Sequence, residues 1–210
     1  APTNWAANSK GNKTPMSAAN DISYLLVNTA VGLALIVFLL RLILQLVRAD
    51  FYNPICQTIV KISNPLVLPL RRVLPPLGRI DSASLLIAFA IQALGIVVLC
   101  RLLFGAIPNP AQILLWSAIG LVGAVVNFYF FAIIGSIILS WVAQGSYNPG
   151  AQLLYQVTEP VMAPFRKLVP PLGGLDLSPI FVFLLINVIE GLLRHMGASV
   201  GLHPALVIGL

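Results

Sequence analysis

Apolar residues run almost unbroken through four stretches of the chain, Ile22–Val47, Ser82–Phe104, Ile113–Val142 and Leu177–Met196. Each is long enough to cross a hydrocarbon core of about 30 Å as a helix, which takes about 20 residues. A backbone in lipid has no water to satisfy it, so a spanning segment must be a helix or part of a closed barrel. The runs are continuous rather than alternating with period two, which argues against an outer-membrane barrel. The pattern predicts an all-α membrane protein with four transmembrane helices.

The segments within each helix pair are patterned differently. After Tyr52-Asn53-Pro54, the residues Ile55, Ile59, Ile62 and Leu66 recur at helical spacing, with Gln57, Lys61 and Asn64 on other faces. After Tyr147-Asn148-Pro149, Leu154, Val157 and Val161 recur in the same way, with Gln152, Gln156 and Glu159 elsewhere. Asn-Pro opens turns, and proline in a first helical turn sacrifices no needed donor. An amphipathic helix is expected at each place, lying in the interface plane, with re-entry into the bilayer as the rival geometry. These helices should end near Pro65 and Pro160, because the stretches Pro65–Pro76 and Pro160–Pro171 are broken by repeated prolines. Asp81 and Asp176 then stand where a carboxylate would cap the next spanning helix.

The likeness of the two loops is a duplication. Shifting the chain by 95 residues matches 12 of 30 positions between Tyr52 and Asp81 without a gap, among them Tyr-Asn-Pro, Pro65, Pro69, Arg71, Pro75-Pro76-Leu77-Gly78 and Asp81. The chain therefore divides into a polar tail 1–15, a first repeat 16–105, a short loop 106–112, a second repeat 113–197 and an apolar tail 198–210. The first 15 residues are compatible with an expression-derived extension ahead of Met16. Their polarity leaves no room for the apolar core of a cleavable signal, and Ile22–Val47 is too long for one.

The composition agrees with a lipid environment: 59% of residues are hydrophobic and 9% charged, against about a quarter charged in a soluble domain. The net charge of +6 is not gathered in one tract, so nucleic acid is not expected and the charge reads as a topology signal. Arg48, Lys61, Arg71, Arg72 and Arg79 follow the first spanning helix and Arg166 and Lys167 follow the third, while 107–111 carries no cation. Both repeat loops are then cytoplasmic and both termini periplasmic. Cys56 and Cys100 stand alone, without zinc or haem spacing, and read as small apolar fillers.

Arg41…Arg48-Ala-Asp-Phe-Tyr-Asn-Pro…Asn64-Pro65…Pro69-Leu-Arg71-Arg72…Pro75-Pro76…Gly78…Asp81, with its second copy from Tyr147 to Asp176, resembles the YggT family of bacterial inner-membrane proteins over Met16 to Met196. The second copy departs at Ser136, where the first has Arg41, and at Gly145, where the first has Asp50. The resemblance implies a multi-pass protein of the bacterial inner membrane, linked to osmotic-shock tolerance, potassium handling, cell shape or division. Plastid and cyanobacterial relatives are linked to cytochrome haem maturation and nucleoid organisation.

Two sets of residues could carry function. The basic residues Arg71, Arg72, Arg79, Arg166 and Lys167 lie beside the amphipathic helices, where each cation attracts anionic headgroups by about 1 kcal/mol. The plainer reading is that they only set orientation. Within the spans, Gln92 and Asn187 are related by the same offset of 95, and Asn127 adds a third amide. They read as glue between helices, or else as a polar pathway. Glu190 and Arg194 form an i, i+4 pair near the outer edge, Arg101 is an alternative partner for Glu190, and Arg41 can snorkel from the inner end of its helix. Small residues Gly120, Ala124, Ala132, Ser136 and Ser140 suit close packing within the chain or between copies. His195 and His203 have no companion nucleophile or ligand cluster, and no phosphate loop is present, so neither an enzyme nor a bound cofactor is expected. The leading reading is a non-enzymatic scaffold or assembly factor that engages anionic lipid, a second copy or another membrane protein. The alternative is an oligomeric channel or ion-transport component.

Overall fold

The structure, a computed structural model, describes residues 18–142, 148–168 and 176–207. Tyr147 and Gly145 and the second proline pair at 170–171 lie outside the described residues. Six α-helices follow in order: α1 Ala18–Leu46, α2 Pro54–Arg71, α3 Ser82–Phe104, α4 Pro110–Val142, α5 Pro149–Leu168 and α6 Ser178–Ser199, with a 3₁₀ turn at Pro204–Leu206. Four of them, α1, α3, α4 and α6, are long and apolar enough to cross a membrane. Leu26, Leu33, Leu94 and Leu184 on these helices are exposed, as expected of surfaces whose solvent is lipid.

The spanning helices pack as α1 against α3, α3 against α4 and α4 against α6. Each amphipathic helix lies against its own pair, α2 on α1 and α3, α5 on α4 and α6, and α2 also meets α5. Close approach of α3 and α4 depends on Gly120, where a Cβ would stand 2.8 Å from Gln92 Nε2 and 2.7 Å from Val207 Cγ1. After α6 the chain folds back, and Leu202, Leu206 and Val207 enter a core with Ile96, Leu99, Trp116 and Ile119. Helix α1 stops with Arg48 in the left-handed region at φ 55°, the Arg48 N–H reaching Gln45 O and the Ala49 N–H reaching Leu44 O.

Two expectations change. The amphipathic helices do not end at Pro65 and Pro160 but run through Pro65 and Pro69, and through Pro160 and Pro164, to Arg71 and Leu168. All four prolines are on exposed positions, spaced four residues apart in each helix, so the carbonyls that lose an N–H partner are on the outer side of the helix rather than in the core. The apolar strip of α2 is also divided. Ile59 joins Cys56 and Val67 in burial against the bundle, while Ile55, Ile62 and Leu66 stay exposed.

Candidate functional site

A charged residue inside a spanning helix must find a partner, because an isolated charge in hydrocarbon is costly. Arg41 sits five residues before the end of α1, about 7 Å along the axis, and is only 5% exposed. Rather than snorkelling outward, it turns into the protein. Its Nε donates to Asp81 Oδ2 at 3.3 Å, and its Nη1 donates to Ser63 Oγ at 2.6 Å, Asn64 Oδ1 at 2.9 Å and the Val60 carbonyl at 3.3 Å.

Asp81, fully buried at the start of α3, is the hub. Arg71, from the last turn of α2, donates through Nε to Oδ1 at 3.2 Å and through Nη2 to Oδ2 at 2.6 Å, the two-pronged geometry guanidinium and carboxylate favour. Arg71 Nη2 also reaches Gln45 Oε1 at 2.9 Å, and Ser84 Oγ donates to Asp81 Oδ2 at 2.7 Å. Burial alone would raise the Asp81 pKa, but hydrogen bonds from Arg71 and Ser84 and the charge of Arg71 outweigh it and hold the carboxyl below its ordinary value. Asp81 makes no side-chain cap on α3, so the expected capping role is replaced by this cluster. Residues from α1, α2 and α3 are thereby tied at one point, and α2 is fixed on its helix pair at both its middle and its end.

The second repeat builds a different cluster from matching positions. Arg166 Nε lies 2.9 Å from Asp176 Oδ2, and its Nη1 lies 2.5 Å from Glu159 Oε2. Glu159 stands where the first copy has Asn64, and Ser136 where it has Arg41. The first cluster has two guanidinium groups on one carboxylate, and the second has one guanidinium on two. The second is also open, with Arg166, Glu159 and Asp176 side chains 43%, 52% and 39% exposed, whereas Asp81 is at 0%. Asp176 Oδ1 accepts from the N–H of Ser178, the first residue of α6, at 2.9 Å, but the N-cap position is Leu177, one residue later than expected. Burial works against its ionisation, but Ser178 and Arg166 still bring its pKa below the ordinary value.

The Tyr-Asn-Pro turns join the copies. Asn53 Oδ1 accepts from the Ile55 N–H at 2.9 Å, capping α2, and Asn53 Nδ2 donates across to the Pro149 carbonyl at 2.7 Å. Asn148 Oδ1 accepts from the N–H groups of Gly150 at 2.9 Å and Ala151 at 3.3 Å. Tyr52, by contrast, is 90% exposed. Ile43, Leu44 and Ala49 share one core with Cys56 and Ile59 of α2 and Leu153 and Val157 of α5.

This architecture meets its relatives here: the sequence model of the CCB3/YggT family matches residues 20–102 and again residues 115–197. The chain belongs to the CCB3/YggT family. An uncharacterised Pseudomonas aeruginosa protein, PA0392, is 49% identical over 93% of this chain and all of its own length. The uncharacterised protein YggT of Escherichia coli K12 is 38% identical, covering 81% of this chain and 88% of its own. The chloroplast protein CCB3 of Arabidopsis thaliana, named for cofactor assembly of complex C, is 32% identical over 36% of this chain and 44% of its own. No solved structure matches the chain.

In this CCB3/YggT chain the other polar residues fall apart. Gln92 is 1% exposed, and its Oε1 has no hydrogen-bond partner among the described residues. Its counterpart Asn187 is exposed and donates to its own helix at the Phe183 carbonyl, 2.8 Å away. Asn127 is half-buried. The three amides therefore do not share an environment within the chain. Glu190 pairs with Arg194 at 3.7 Å, and Arg101 turns to the Gly105 carbonyl. His203 Nδ1 accepts from the Ala205 N–H and its ring lies edge-on to Phe104.

Of the basic residues, Arg71 and Arg166 are occupied by carboxylates, while Lys61, Arg72, Arg79 and Lys167 are exposed. Sequence reasoning missed the Arg41–Asp81 pair. The available signal was the cost of Arg41 in an apolar run, which demands a carboxylate at the same depth.

Proposed function

We propose that this chain is a non-enzymatic membrane scaffold or assembly factor that works from the end of the bundle carrying α2 and α5. One observation carries the reading. Lys61, Arg72, Arg79 and Lys167 are exposed, as are Ile62, Leu66, Val73 and Leu168, on α2 and α5 and the turn that follows α2, and both helices are pinned to the bundle by buried or bridged charges. Cations next to exposed apolar side chains suit an interface where headgroups meet acyl chains. By the positive-inside rule this end faces the cytoplasm of the bacterial inner membrane and both termini face the periplasm. The name of the plant relative, a cofactor-assembly factor, agrees with an assembly role, and family resemblance suggests osmotic-stress tolerance or envelope and division organisation as its setting. An oligomeric channel has weaker support, because Gln92 is buried and Asn187 exposed rather than on one path.

The test replaces Lys61, Arg72, Arg79 and Lys167 together by Gln, leaving both ion-pair clusters whole. At about 1 kcal/mol per cation the change removes up to about 4 kcal/mol of attraction to anionic lipid, less with salt screening. Membrane insertion and orientation are verified first, since the same charges set topology. The variant should then lose retained anionic lipid in native mass spectrometry and lose osmotic-shock protection in cells. Retention of both would refute the reading.

A further inference from the structure

In the first repeat, the guanidinium of Arg41 is received by acceptors alone: the Asp81 carboxylate, the Ser63 hydroxyl oxygen, the Asn64 amide oxygen and the Val60 carbonyl. At the offset of 95 these become Asp176, Thr158, Glu159 and Tyr155, a set that again offers acceptors and carries one more negative charge. What has gone is the occupant. Arg41 is replaced by Ser136, and its neighbour Gln45 by Ser140, so two long polar side chains shrink to hydroxymethyl groups.

The structure shows a cavity of about 470 Å³ at that place, bounded by Ser136, Ser140, Tyr155, Met162, Arg166 and Asp176. Their counterparts in the first repeat are Arg41, Gln45, Val60, Val67, Arg71 and Asp81, which are the buried cluster and its wall. Three hydroxyls in and beside this cavity have spent their protons on their own helices. Ser136 Oγ donates to Ile133 O at 2.8 Å, Ser140 Oγ to Ile137 O at 2.6 Å and Thr158 Oγ1 to Leu154 O at 2.9 Å. These three can therefore offer a ligand only lone pairs, and Asp176 adds carboxylate oxygens, while Arg166, Trp141 and Tyr155 supply donors elsewhere in the lining. Arg166 and Asp176 line the cavity with one charge of each sign, and Glu159, bridged to the same Arg166, places a second carboxylate beside the lining. The acceptors Ser136, Ser140 and Asp176 gather where the first repeat holds the Arg41 head group, and guanidinium, with five donors and no acceptor, is the planar cation that such a set receives.

We propose that this cavity binds a guanidinium group, taking from outside the chain the cation that Arg41 supplies within the first repeat. Its apolar wall, Met162 with Ile180 and Phe183, would receive an alkyl stem behind the charged head. The inference is independent of the assembly role, since it rests on the cavity and its first-repeat counterpart alone.

The test measures ethylguanidinium binding to the detergent-solubilised full chain by equilibrium dialysis and thermal unfolding, with potassium chloride at equal ionic strength as control. Saturable binding with a raised melting temperature is expected for ethylguanidinium and not for potassium. Ser136→Arg tethers the cation in place and should abolish binding, while Ser136→Ala keeps the cavity and should retain it. Asp176→Asn leaves the fold of the first repeat untouched and should weaken binding by about tenfold or more, as for loss of a charge-assisted hydrogen bond. Free L-arginine separates the two sources: weaker binding than ethylguanidinium points to an arginine side chain within a protein, whose backbone carries no free carboxylate, and equal or tighter binding points to a free small molecule. Absence of saturable binding, equal binding of potassium, or binding that survives both Ser136→Arg and Asp176→Asn would overturn the proposal.

Discussion

Arg41 Nε and Asp81 Oδ2 stand 3.3 Å apart although 40 residues separate them, and both side chains are almost wholly withdrawn from solvent, at 6% and 0% exposure. Such a pair is informative because its partners cannot be removed one at a time without leaving a buried charge behind. It fixes where α1, α2 and α3 converge.

Asp81→Asn should therefore destabilise the chain by about 3–5 kcal/mol, as for breaking a buried ion pair from one side. Asp176→Asn, at an open and solvent-screened pair, should cost about 1 kcal/mol or less. Denaturant unfolding of the two variants in the same detergent compares them directly, and equal losses would show that the two clusters do the same structural work.

The Asp81 carboxyl is held below its ordinary pKa in the folded chain, through Arg71 and Ser84 and against burial. A depressed folded value means that the stabilisation is fully present above the unfolded pKa, about 3.9, and fades as pH falls past it toward the lower folded value. Melting temperature should fall as pH drops from about 5 to about 3, and Asp81→Asn should flatten that part of the curve. An unchanged slope in the variant would remove Asp81 as its cause.

Topology can be read with cysteine labelling, because native Cys56 and Cys100 are both buried and give little background. With the α2 and α5 end in the cytoplasm, an impermeant thiol reagent on intact cells should modify Pro110→Cys but not Arg79→Cys. The opposite pattern would invert the protein and move the exposed cations to the periplasm.

Asn53 and Asn148 occupy matching turns but carry different loads. Asn53→Ala removes a helix cap and the bond to the Pro149 carbonyl, for a loss of about 1–3 kcal/mol. Asn148→Ala removes only a local cap, about 1 kcal/mol. Thermal unfolding should rank them in that order, and the reverse ranking would show that the cross-repeat bond contributes nothing.

Much of this molecule is legible in its sequence. The four spanning helices follow from unbroken apolar runs, because lipid forces each segment to satisfy its own backbone whatever its neighbours do. The starts of α2 and α5 at Pro54 and Pro149 follow from Asn-Pro turn chemistry, which acts over three or four residues. The ends of these helices are not legible. Whether a helix survives two prolines depends on where its freed carbonyls point, and that is decided by which face the bundle covers. The fate of the charges is equally a tertiary matter. Arg71 and Arg166 read alike along the chain, yet one is locked against a buried carboxylate and the other bridges two exposed ones. The difference arises because Arg41 on α1 meets Asp81 on α3 only when those helices pack, while Ser136 on α4 leaves a cavity at the matching place. Local pattern determined the elements by itself, since solvent and backbone act residue by residue; the partners of each charge were set by packing between segments tens of residues apart, where no local rule applies.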